Sequence, residues 1–126
     1  MEATQEQMLN ILELILPKEI QDHFTVTNLL IQPKEVHLYL DERNEFPDEY
    51  KDEKLISKGF HSEAVIQDFP LRNKALYLHV RRRKWEVEST KKIVSKTWNL
   101  MANGTRYSNE FATFLKGLLG YLPDKF

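Results

Sequence analysis

The first apolar positions, Met8, Ile11, Leu12 and Ile15, recur at helical spacing. They predict an amphipathic helix from about residue 4 to 16 whose apolar side is core. Thr4 and Gln7 stand where a capping box would satisfy two orphan amides at its start. Pro17 ends the helix, and "KEIQDHF" extends the helical N-terminus (1–24) by a short turn or helix. The period then changes from 3.6 to 2. "TVTNLLIQ" (25–32) is rich in β-branched and apolar residues, and "EVHLYL" (35–40) alternates with Val36, Leu38 and Leu40 on one face. With Pro33-Lys34 between them, these two predict an antiparallel hairpin.

Residues 41–60, "DERNEFPDEYKDEKLISKGF", hold no sustained period and predict a long acidic loop. "HSEAVIQDFPL" (61–71) predicts a strand ended by Pro70, with a turn at Arg72 and Asn73. "KALYLHVRRRKWEV" (74–87) is the strongest strand signal, and "KIVSKTWNLM" (92–101) returns after a turn near "EST". Asn103-Gly104 breaks the chain before a helix over 107–120, N-capped by Ser108. Its stripe is Phe111, Phe114, Leu115, Leu118 and Leu119. The expected fold is α+β in one domain. An antiparallel sheet region (25–102) of four or five strands is flanked by N- and C-terminal helices.

Composition narrows the function classes. The 126 residues include no cysteine, which excludes disulfides and thiolate metal sites and fits a cytoplasmic protein. The four histidines, at 23, 37, 61 and 79, are not at metal-ligand spacing, so neither a metal nor another cofactor is expected. No apolar run is long enough to span a membrane, and the acidic polar start does not read as a secretory signal. Asp48, Asp52 and Lys54 superficially resemble the acidic pair and lysine of a nuclease core, but they crowd into one loop. There is no phosphate-cradling glycine loop and no nucleophile elbow, so no enzyme is expected.

The net charge of −1 conceals a polarised distribution. Residues 41–54 hold seven acidic and three basic side chains, a net of −4, whereas 72–96 hold nine basic and two acidic, a net of +7. Sorted by strand phase, Leu76, Leu78 and Val80 face one way with Arg82 continuing that side. Tyr77, His79, Arg81, Arg83 and Trp85 face the other. Cations neutralise phosphates and planar side chains stack, so this pattern points to nucleic acid. The candidate contacts are Arg81, Arg82, Arg83, Lys84, Lys91, Lys92, Lys96 and Arg106, with Trp85 and Tyr77 buttressing or stacking. The competing reading is an ordinary solvated sheet face with cation–π pairs. The acidic loop threatens the nucleic-acid reading, because it could fold over the basic face and mask it.

The order Ile66-Gln67-Asp68-Phe69-Pro70, an alternating strand ending in Arg82-Arg83-Lys84-Trp85 (or one residue earlier), and Ser108 through Leu115 resembles a known pattern. It is that of the N-terminal region of bacterial insertion-sequence transposases of the ISL and ISAon groups, over roughly residues 55–116. The resemblance implies a zinc-ribbon module that here lacks its cysteines. The two missing pairs would fall near residues 46–54 and around 86–91. It further implies a non-catalytic DNA-binding part that recognises transposon-end DNA, the acidic catalytic domain lying downstream and beyond this chain. The chain then resembles the front reading frame of a split transposase or a stand-alone remnant. The alternative is an interaction or assembly module, docking on a separately encoded catalytic subunit or self-associating as a homo-oligomer.

Overall fold

The computed structural model describes residues 4–98 and 108–119, apart from the side chains of residues 12, 13 and 109. The order is α1 (Gln5–Glu13), α2 (Lys18–His23), β1 (Phe24–Ile31), β2 (Glu35–Glu42), a 3-10 turn (Asp48–Tyr50), β3 (Leu55–Phe60), β4 (Ala64–Leu71), β5 (Lys74–Arg81), β6 (Arg83–Val87), β7 (Ile93–Val94) and α3 (Asn109–Leu119). The α+β class is as expected, with helices at both ends and mostly antiparallel strands.

The strands form two sheets rather than one. The larger runs β1-β2-β5-β4 and the smaller β3-β6-β7. Each half of the larger sheet is a hairpin, and the turn in the second places Arg72 and Asn73 both at positive φ (49° and 71°), the primed geometry that suits the strand twist. The hairpins meet along β2 and β5, which pair parallel, so the sheet is not wholly antiparallel. Pro70 sits where β4 slips register against β5, tolerable because β4 is an edge strand.

One face of this sheet carries the main core. Val36, Leu38 and Leu40 of β2 and Leu76, Leu78 and Val80 of β5 are buried against α2 and α3. The α3 stripe packs as the periodicity requires, with Phe111, Phe114, Leu115 and Leu118 buried. At Gly117 an added Cβ would stand 3.2 Å from the Ile66 side chain, so glycine lets α3 approach β4 closely. The start of α3 is fixed twice. Ser108 Oγ accepts from Phe111 N at 3.1 Å, and Glu19 of α2 accepts from Ser108 N (2.8 Å) and Oγ (3.0 Å).

These bonds hold the Glu19 carboxyl below its ordinary value, chiefly through the Ser108 amide. A depressed acid contributes stability that is present above the unfolded value of 4.5 and lost as pH falls through its folded value. Glu19→Ala is expected to cost about 1 kcal/mol at neutral pH, held to that size by solvent screening, and to flatten the acid limb of the stability curve. Urea melts at pH 7 and pH 4 check both; equal losses at the two pH values would contradict the assignment.

The capping box forms as expected: Gln7 N donates to Thr4 Oγ1 at 3.0 Å and Thr4 N to Gln7 Oε1 at 2.8 Å. The expectation that the apolar side of α1 is core fails for Met8, Ile11 and Ile15, while the Leu12 side chain lies outside the described residues. Met8 and Ile11 of α1 and Leu14 and Ile15 just beyond its end are 42, 58, 74 and 46% exposed, and among the helix's described side chains only Leu9 packs partly against the core. The helix ends four residues before α2 begins, and Leu16 in that link reaches the interior instead.

Candidate nucleic-acid interface

The strand predicted over 74–87 is interrupted at Arg82, and that interruption decides where the arginine row points. Glu42 keeps the inward phase of Val36, Leu38 and Leu40, and Arg82 keeps that of Leu76, Leu78 and Val80. Both are buried at the end of the core, where β5 leaves the larger sheet and β6 enters the smaller. Glu42 binds the junction. Its Oε1 accepts from Arg83 N (2.8 Å), its Oε2 from Trp98 Nε1 (3.1 Å), and its backbone O from Arg83 Nε (2.7 Å). Burial pushes the Glu42 carboxyl up, against the Arg83 amide bond and the Arg82 charge. Burial likewise pulls the Arg82 guanidinium down, with the Glu42 charge opposing.

Few members of the arginine row are free. Arg81 forms a two-point ion pair with Asp41, at 2.7 Å from Nε and 2.6 Å from Nη2, which raises its affinity for its proton. Arg81 and Arg83 both lie over the Phe60 ring, at 4.1 and 4.6 Å from its centroid. Lys96 stands over Trp98 at 4.5 Å and reaches Glu45 at 3.6 Å. The acidic segment therefore does fold onto the row: Asp41, Glu42 and Glu45 engage Arg81, Arg83 and Lys96.

The predicted aromatic contacts sit elsewhere than a stacking surface would need. Trp85 is fully buried with Val87 and Val94 in the core of the small sheet, and its Nε1 donates to Asn44 Oδ1 at 3.1 Å. The expected alternation is broken at Arg82, which turns Trp85 inward. Tyr77 lies on the open face of the large sheet, stacked on His37 at 5.2 Å. On that face Glu35, His37, His79 and Glu63 form a chain with contacts of 2.9, 2.7 and 2.9 Å. All four imidazole nitrogens face a partner there, which leaves none to act on a substrate. Arg106 lies outside the described residues.

Lys84, Lys91 and Lys92 remain, and the structure adds Lys58. Glu86 pairs across the small sheet with Ile56 and Ile93, so its side chain shares their outer face, opposite Trp85. Lys84 is two residues away in phase, while Lys58 and Lys91 approach Glu86 at 3.3 and 3.8 Å. Lys92 is exposed beside them at the turn. Two lysines thus hold the Glu86 carboxylate on a three-stranded ribbon that also carries Lys84 and Lys92, while Glu88 just beyond β6 pairs with Lys54 at 3.6 Å.

No family model, no curated protein and no solved structure matches the chain.

Lys58 was hidden because β3 carries no clean alternation. Gly59, at φ +84°, makes a bulge that shifts the β3–β6 register between Ser57 and Phe60. By its pattern alone "LISKGF" belongs with the loop expected over 41–60, whereas the structure makes it β3. Gly59 itself, next to an apolar-polar run, was the available signal.

Proposed function

We propose that the chain is the non-catalytic DNA-binding N-terminal part of an insertion-sequence transposase, recognising transposon-end DNA through the outer face of the β3-β6-β7 sheet. One observation carries this: Lys58, Lys84, Lys91 and Lys92 cluster on the β3-β6-β7 ribbon, where Lys58 and Lys91 reach Glu86 and the other nearby carboxylate, Glu88, is paired with Lys54. A two-stranded β-ribbon fits a major groove, and clustered lysines supply the phosphate contacts that position it. The resemblance to transposase N-terminal regions adds support. The segments that would hold the family's metal knuckles, 46–54 and 86–91, lie side by side, with Glu88 N donating to Lys54 O at 2.9 Å. In place of a metal, Tyr50 and Leu55 pack on the Trp85, Val87 and Val94 cluster. A soluble, cytoplasmic setting fits this reading, and no helix among the described residues is long and apolar enough to cross a membrane.

Binding to a transposon-end duplex, followed by fluorescence anisotropy, should weaken linearly in log–log form with salt. About four phosphate contacts give a slope near −4. Replacing Lys58, Lys84, Lys91 and Lys92 with Ala should flatten the slope by about 3 to 4 units. Arg81→Ala with Arg83→Ala should change it by less than about one unit, because those groups are engaged internally. An equal loss from the arginine pair would move the interface back to the arginine row. No binding at low salt would remove the DNA reading altogether.

A second reading has its own observation. The exposed Met8 and Ile11 of α1, with Leu14 and Ile15 just after it, suit docking on a separately encoded catalytic subunit or self-association, and both are compatible with DNA contact elsewhere.

A further inference from the structure

Arg82 is 7% exposed, yet it makes no ion pair within 4 Å among the described residues. One Nη2–H goes to Lys96 O at 2.7 Å, its Nε–H is buried with no acceptor among the described residues, and Glu42 acts on it through its charge. A buried cation so thinly compensated is costly unless another group supplies negative charge.

Arg82 also forms part of the wall of a cleft of about 350 Å³, between the start of β4, the β5–β6 junction and the last turn of α3. This is within the range of small-ligand sites. Ala64, Val80 and Leu118 give it apolar sides, and His61 and Ser62 stand at its mouth with Glu63. The Glu63 carboxylate is engaged by His79 at 2.9 Å. The Ser62 hydroxyl is exposed, with no partner among the described residues, and the His61 ring uses Nε2 on Ser95 Oγ, leaving Nδ1. After burial, the charges of Arg82 and then Lys84 hold His61 below its ordinary value, so both cations act on this side of the cleft.

We propose that this cleft seats a phosphate group on Arg82, His61 and Ser62 and that, resting on the DNA-binding reading above, the phosphate belongs to the DNA backbone beside the lysine face at Lys84. A tetrahedral oxyanion matches the donors on offer and supplies the charge that Arg82 lacks.

Two arms test it, with Arg82 left in place because its removal would strand Glu42. In the first, inorganic phosphate is titrated against the wild-type protein at fixed ionic strength and pH 7 while the His61 ring carbon–proton signal is followed by NMR. A saturable shift absent in chloride, and abolished by Ser62→Asp, is expected. In the second, Ser62→Asp is expected to remove one phosphate contact from duplex binding, flattening the salt slope by about 0.9 and weakening affinity roughly tenfold. If phosphate leaves His61 unmoved and the slope is unchanged while lysine-dependent DNA binding persists, the cleft proposal is overturned and the DNA reading stands. A phosphate shift with an unchanged slope overturns the DNA assignment and makes the site one for free phosphate. A phosphate shift with no DNA binding at all supports the cleft while removing the DNA reading.

Discussion

Glu42→Ala is expected to destabilise the protein by about 3–5 kcal/mol, the largest loss from any single polar substitution. The carboxylate closes the end of the main core, and three groups depend on it. Removing it strands the Trp98 indole N–H, which is bonded in a buried setting, and the Arg83 amide at the strand break. It also leaves Arg82 without its nearest described counter-charge. Glu42→Gln should lose less, because an amide oxygen can still accept from Arg83 N, although its NH₂ would then face the Trp98 N–H. The pH dependence separates the charge from the hydrogen bonds. Burial raises the folded carboxyl above 4.5, so the unfolded chain gives up this proton first. The stability Glu42 contributes is therefore fully present below 4.5 and declines as pH rises through its folded value. The gap between wild type and Glu42→Gln should narrow on that rise. Chemical denaturation across pH 4 to 8 measures it, and a gap that widens with pH would mean that the Arg82 charge outweighs burial.

The same residues explain what could and could not be read from the sequence. Alternation placed Val36, Leu38, Leu40, Leu76, Leu78 and Val80 on one buried face, and the α3 stripe followed its period. Those signals are legible because a half-buried element repeats one physical demand at every turn or pleat. Arg82 was assigned to the core side by the same phase, but the burial of its charge depends on Glu42, forty residues away and aligned only by the parallel β2–β5 pairing. Nothing local announces a parallel register between two hairpins. The second sheet was lost for a related reason: the Gly59 bulge hides β3, and β7 is two residues long. Unbroken alternation through Arg82 puts Trp85 on the outer face, whereas β6 lies between β3 and β7 and buries it. The error at α1 has another source. Periodicity identifies an apolar side but not what covers it, and here the described chain leaves Ile11 and Leu14 to solvent.

Trp85 offers the decisive separation of core from contact. Trp85→Ala is expected to cost about 3–5 kcal/mol, because the indole is fully buried and the small cluster of Val87, Val94, Tyr50 and Leu55 cannot collapse to fill its place. The loss should be local. Amides of β6 and β7 should lose hydrogen-exchange protection while those of β2 and β5 keep theirs, since the latter belong to the other core. DNA affinity should vanish with it, because Lys58, Lys84 and Lys91 share a face only while the ribbon holds. That result alone would also follow if Trp85 stacked on DNA, so Trp85→Phe is the sharper variant. It keeps most of the apolar volume and the edge-on approach of Phe46, now at 6.2 Å, and gives up the Asn44 bond for about 1 kcal/mol. With the sheet intact, the salt slope and affinity should match the wild type. A Trp85→Phe protein that melts near the wild type but binds DNA tenfold more weakly would put the indole at the nucleic acid after all.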